Sequence, residues 1–147
     1  MSAQARKALV SHPGLVFQRS SQRDDLLDPN KTQTELIALL LELLSHGHSI
    51  ELTAVRSDHH DDHCLGRHSH SNGFAADGWF LATHEPGDYL DARNPQFEEG
   101  IECVAHSAWR EQIGLAGSAD IPVNQRAAGS AYFPDQGADH IHLSAKG

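Results

Sequence analysis

Two short stretches of the chain carry residue types and spacings that can do chemistry. The first is His68-Ser69-His70-Ser71-Asn72-Gly73-Phe74-Ala75-Ala76-Asp77, and the second is Asp139-His140-Ile141-His142. The first offers a His and an Asp seven positions apart, separated by small residues. The second offers two His with an acid just before them. Imidazole nitrogen and carboxylate oxygen suit a borderline-soft ion such as zinc. A catalytic zinc takes three protein ligands and keeps a fourth position open. His70, Asp77 and His142 are the candidate ligands. On strands, alternate side chains share a face, so His140 and His142 point one way while Ile141 points to the core. Ala75 and Asp77 likewise oppose Phe74 and Ala76. Asp139 stands at a bend before the pair, where a carboxylate can reach the open side of a bound ion.

Elements must bring these distant segments together. Leu36, Leu39, Leu40, Leu43 and Leu44 recur at helical spacing and predict a helix from about Thr32 to His46. Asn30 or Thr32 is placed to cap its start and Gly47 to end it. A strand is expected over Ser49 to Arg56 and another over Gly73 to Leu81, with a turn at Pro86-Gly87-Asp88. A second helix is expected from Pro95 to Gly114, with Phe97, Ile101, Val104, Ala105 and Ala108 on one face. Leu115 to Gln125 reads as loop. Ala131 to Phe133 and His140 to Ser144 read as the last two strands, joined by the turn Pro134-Asp135-Gln136-Gly137. At the N-terminus, Gly14 to Phe17 suits a short strand and Ser20 to Pro29 a loop. These elements imply an α+β fold, a small antiparallel sheet carrying the zinc site and packed against two main helices.

Composition bounds the rest. The 147 residues suit a single domain, 1–147, with 1–31 as an irregular N-terminal extension. An apolar fraction of 39% and a charged fraction of 21% suit a soluble globular chain. A net charge of −9 argues against nucleic acid as partner. No apolar run reaches membrane-span length, so no membrane insertion is expected, and the start lacks the apolar core of a secretory signal. A cytoplasmic protein as synthesised is therefore expected. Cys64 and Cys103 are read as two free thiols. Twelve His are the main bias. Most of them, including those in Asp58-His59-His60-Asp61-Asp62-His63, are read as solvated, with a second metal site as the alternative for that cluster. Trp79 and Trp109 are read as core packing, with a substrate groove as the alternative.

His70-x-x-Gly73-x-Ala75-x-Asp77 followed by His140-x-His142 resembles the signature of the LAS-type zinc peptidases. That group includes D-Ala-D-Ala metallopeptidases, phage L-alanyl-D-glutamate endolysins and the hedgehog domain. The resemblance covers roughly residues 32 to 144. It implies a hedgehog-like or DD-peptidase-like fold and zinc on His70, Asp77 and His142. It implies Asp139 as general base and Arg56, in Val55-Arg56-Ser57, as substrate-side cation. The implied reaction is hydrolysis of a peptidoglycan peptide, as a carboxypeptidase or endopeptidase of phage-lysin type. The chain departs from the pattern at His68, where the family carries Ser. That leaves His68 open as a substitute imidazole, while His140 reads either as second-shell donor or as exposed strand residue. A zinc-containing binding module or virion structural protein is the alternative from a different class.

Overall fold

The computed structural model describes residues 3–58, 70–90, 94–116, 130–133 and 141–146. It is an α+β structure whose mixed sheet has the strand order β1-β2-β3-β6-β4-β5. In chain order the elements are α1 (Ala3–Val10), β1 (Leu15–Phe17), α2 (Ser20–Leu27), α3 (Thr34–Ser45) and β2 (Ile50–Ala54). A 3-10 turn (His70–Asn72), β3 (Ala75–Phe80), α4 (Pro95–Ala105), β4 (Arg110–Ala116), β5 (Ser130–Phe133) and β6 (Ile141–Ala145) follow. Among the described residues, no helix is long and apolar enough to cross a membrane.

The leucines that predict α3 are all buried, and Ile37 and Ala38 join them. They pack on Ile50, Leu52, Ala76, Phe80, Ile141 and Leu143 in one apolar cluster. That cluster covers the inner face of the sheet, its members alternating along β3 and β6, while Ala75, Asp77, His142 and Ser144 on the other face are buried as well. α4 begins where Asn94 accepts a hydrogen bond from Gln96 N and Pro95 enters at the first turn. Its Gly100 lies against the Phe80 ring, where a Cβ would come within 2.6 Å of the ring edge.

Several expectations are corrected. The N-terminal region is not irregular, since α1, β1 and α2 lie within it. Ser20 to Leu27 is helical because Gln22 turns its side-chain carbonyl back onto the Gln18 and Arg19 amides, at 2.9 and 3.2 Å. α1 is fastened by the buried Arg6. Its guanidinium donates to Leu26 O, Thr32 Oγ1 and Thr32 O at 2.7–2.8 Å. Thr32 is therefore occupied with Arg6 and Asp25 O rather than capping α3, whose N-cap is Gln33.

α4 stops at Ala105, well short of Gly114, and the chain returns as β4. Ser107 makes the break: its hydroxyl donates to Glu42 of α3 at 2.6 Å and accepts the Trp109 amide at 3.1 Å. Ala108 is exposed rather than part of the apolar face. Leu115 lies in β4, and the remainder of the expected loop, 117–125, lies outside the described residues, as does the turn 134–137. The sheet is not all antiparallel. β1 pairs with β2 and β4 with β5 in parallel, and β4 stands between β5 and β6. The described helices number four, α1 and α2 adding to the two expected.

Candidate metal centre

Asp77 and His142 meet because β3 and β6 pair antiparallel in the register Asp77↔His142. Directly opposed residues place their side chains on the same face within a few ångströms. The face is the one opposite the core, since Ala76, Ile141 and Leu143 fill the inner side. From β4, Gly114 is the register partner of His142. The resulting contact is His142 Nδ1 to Asp77 Oδ1 at 2.9 Å.

His70 arrives from outside the sheet, on the 3-10 turn that leads into β3. Its Nε2 lies 3.2 Å from Asp77 Oδ1 and 3.2 Å from His142 Nδ1. Its Nδ1 lies 2.6 Å from the Val55 carbonyl. A carbonyl only accepts, so Nδ1 carries a proton there, which in the neutral ring leaves the Nε2 lone pair toward the other two. This is the usual arrangement of a metal-binding imidazole, whose second nitrogen is tied to a carbonyl or carboxylate.

The Val55 carbonyl is itself held. β2 carries one extra residue opposite β3 between Leu52 and Ala54, a bulge beside Asp77. Immediately beyond, the Asp25 carboxylate of α2 accepts Arg56 N at 3.1 Å, Ser57 N at 2.7 Å and Ser57 Oγ at 2.5 Å. Asp58 accepts the Val55 amide at 2.8 Å, together with Gln22 and Arg19 side chains. Burial pushes the Asp58 carboxyl up, but these hydrogen bonds outweigh it and hold it below the usual carboxylate range. Two acids from outside the triad thus fix the strand end that orients His70.

The turn carrying His70 is docked on the start of α3. Gln33 N donates to Gly73 O at 2.9 Å and Gln33 Nε2 to Asn72 O at 3.2 Å. Gly73 has φ +83, and a Cβ there would lie 2.5 Å from Lys31 O. A side chain would therefore be strained by conformation and blocked by backbone. The small residue at this position lets one part of the chain approach another.

His70, Asp77 and His142 are all buried, and their ligand atoms form a group that can hold a metal ion. Three acceptor atoms this close repel one another unless a cation, a proton or a metal ion, lies between them. His142 Nε2 is buried without a hydrogen-bond partner among the described residues. No second such group of His, Cys, Asp and Glu occurs among the described residues.

Other expected site residues fall differently. Arg56 donates through Nη1 to the carbonyls of Asn30 and Lys31, at 3.0 and 3.1 Å, beside the Gly73 contact. His68, Asp139 and His140 lie outside the described residues, as do Cys64 and the cluster from His59 to His63. Cys103 is a free thiol. Asp25 and the Val55 carbonyl went unnoticed in the sequence, where one acid in a polar stretch and one backbone oxygen give no signal.

Comparison of the chain with protein-family models, with curated proteins and with solved structures gave no match.

Proposed function

We propose that the chain is a zinc-dependent peptidase of the LAS type, hydrolysing a peptide bond in bacterial cell-wall peptides. The observation that carries this reading is the convergence of His70 Nε2, Asp77 Oδ1 and His142 Nδ1, at separations of 3.2, 3.2 and 2.9 Å. Zinc bonds of about 2.0–2.1 Å to nitrogen and oxygen put ligand atoms roughly 3.3–3.4 Å apart in a tetrahedron. The triangle is close to one face of that tetrahedron. Calcium, which needs six to eight oxygens at longer range, is a poor match to two imidazoles and one carboxylate.

Zinc held there would supply a Lewis acid to polarise a carbonyl and make water nucleophilic near neutral pH. His70, Asp77 and His142 would hold the ion as its three protein ligands, the number usual in a catalytic zinc site. Asp139, three residues before His142, is assigned the general base that takes a proton from water and passes it to the leaving amine. Arg56 is assigned the charge that meets a substrate carboxylate or the developing oxyanion. Its Nη1 bonds to the loop at 30–31 anchor it on the same side of the molecule as the Gly73 turn. The hedgehog-like or DD-peptidase-like fold belongs to the same reading. It is supported by the distribution of the ligands, one on the turn before β3, one on β3 and one on the paired β6.

Digestion of purified peptidoglycan, with and without chelator and with mass analysis of the products, tests the function. Chelator-sensitive release of peptide fragments is expected. Asp139→Asn is expected to keep one zinc and lose most activity, about 10²–10⁴-fold in rate. His68→Ala is expected to keep the metal. Absence of any cleavage by zinc-loaded protein points to the alternative, a zinc-containing binding or virion structural protein.

A further inference from the structure

Two residues beyond Asp77, on the same face of β3, stands Trp79. Alternate residues of a strand share a face and lie about 6.6 Å apart. The Trp79 ring is stacked on Tyr89, with centroids 4.8 Å apart and planes inclined by 22°. Tyr89 is 40% exposed and Trp79 half-buried. Stacked aromatics left facing solvent are an uncovered apolar surface, and this one lies beside the metal triad.

The pair is rigidly built. The Tyr89 hydroxyl donates to the carboxylate of Glu51, which also receives Gln18 Nε2 at 2.9 Å and Gly87 N at 3.0 Å. Glu51 is the register partner of Trp79 across β2 and β3 and is buried. Burial pushes its carboxyl up, but the bonds from Tyr89, Gln18 and Gly87 together hold it below the ordinary range. It is therefore a charged group at neutral pH. The turn carrying Tyr89 is closed by Ala82 N to Asp88 O at 2.8 Å and by Leu90 N to Phe80 O at 2.8 Å. Thr83 Oγ1 ties it again to Asp88 at 2.8 Å.

Among the described residues from 79 to 90, the carboxylates are the formally charged side chains. Residues 79 to 90 contain Glu85 and Asp88 and no Lys or Arg, and Glu51 lies beneath. Arg19, the N-cap of α2, is paired with Asp58 at 2.9 Å. An electron-rich ring pair with a buried carboxylate bonded to its edge attracts a cation to its open face.

We propose that Trp79 and Tyr89 form a substrate subsite that takes the ammonium-bearing side chain of a diamino acid residue in the peptide, with Glu51 as its positioning residue. The subsite deepens the peptidase reading and rests on it for the identity of the peptide. The alkyl stem lies along the rings while the ammonium meets their negative faces and the acidic surround. The step from Asp77 to Trp79 places that residue next to the bond presented to the triad.

The test uses the stem tetrapeptide L-Ala-D-Glu-L-Lys-D-Ala and the same peptide acetylated on the lysine amine. Both are titrated into full-length, zinc-loaded protein carrying Trp109→Phe, so that Trp79 is the one tryptophan and its fluorescence reports binding. The same samples are analysed by mass for cleavage, and where cleavage occurs the ratio of kcat/KM reads the same preference. We expect the free-amine peptide to be favoured about fivefold. Tyr89→Ala should abolish that preference with the far-UV circular dichroism unchanged. Trp79→Ala, read by calorimetric titration, should do the same. Equal affinity for the two peptides, binding of neither, or a preference surviving both substitutions overturns the subsite. An amine preference without cleavage of either peptide upholds the subsite and overturns the peptidase reading.

Discussion

Two histidine-bearing regions flank the middle of the sheet, and only one of them converges. At the triad, two imidazoles and a carboxylate come within 3.2 Å of one another. Beyond the other end of β3, His46, His48 and His84 line a cleft of about 320 Å³ with Ser49, Gln96 and Glu99. There each ring has a different neighbour. His84 Nδ1 lies 3.2 Å from Ser49 Oγ, His46 Nδ1 lies 3.6 Å from Cys103 Sγ, and His48 tilts against Phe80. The residue types are similar, so composition does not make the difference. The triad has a strand register that opposes two ligands and a carbonyl that aims the third. The cleft offers empty volume, yet the converged atoms are elsewhere. A site for an ion is defined by where lone pairs meet, and empty volume is a poor guide to that.

The largest effect that separates the two regions is metal content. Protein purified without added metal is expected to hold near one equivalent of zinc. His70→Ala, Asp77→Ala and His142→Ala should each remove it, while His46→Ala, His48→Ala and His84→Ala should leave it unchanged. Elemental analysis decides, and full zinc in Asp77→Ala would mean that the ligand set is wrong.

Gly73→Ala comes next. A non-glycine residue at positive φ costs about 1–3 kcal/mol, and overlap with Lys31 O adds to it. Denaturant unfolding should show that loss, and zinc titration should show weaker binding because the His70 turn shifts. An unchanged midpoint would mean that the turn yields freely.

Asp25→Asn removes charge from the group holding Arg56, Ser57 and, through them, the Val55 carbonyl. Groups that orient a ligand typically matter by about 10–100-fold in metal affinity. Competition with a chromogenic chelator should measure that loss, with fold retained by circular dichroism. Affinity equal to wild type would show that Asp58 suffices to hold the strand end.

The smallest effect belongs to the cleft. Burial first, and then His46, lowers the His48 pKa, with Glu99 opposing. The folded state thus favours the uncharged ring. Its contribution to stability is full above the ordinary histidine value of about 6.5 and is lost as pH falls through the lower folded value. The ring resonances of His48 should titrate below that ordinary value. Thermal unfolding of wild type and His48→Gln should draw closer as pH falls from 7 to 5. A widening gap would mean that the charged ring is the stabilised form.

The sequence by itself determined the parts whose signal is periodic or local. Leu36, Leu39, Leu40, Leu43 and Leu44 made α3 readable because one face of a 3.6-residue helix must be apolar to be buried. The alternation around Asp77 and around His142 made β3 and β6 readable for the matching reason in a strand. With their positions came the candidate ligands, since His70, Asp77 and His142 stand out by type and spacing. Tertiary structure alone decided what depends on partners far along the chain. α1 is pinned by Arg6 to Leu26 and Thr32, and α4 ends where Ser107 finds Glu42. β4 inserts beside β6, which makes the sheet mixed. The tautomer of His70 rests on a carbonyl fifteen residues away, steadied by an acid thirty residues before that. Hydrogen bonds between such distant groups leave no period in the chain, because only folding brings their donors and acceptors within reach.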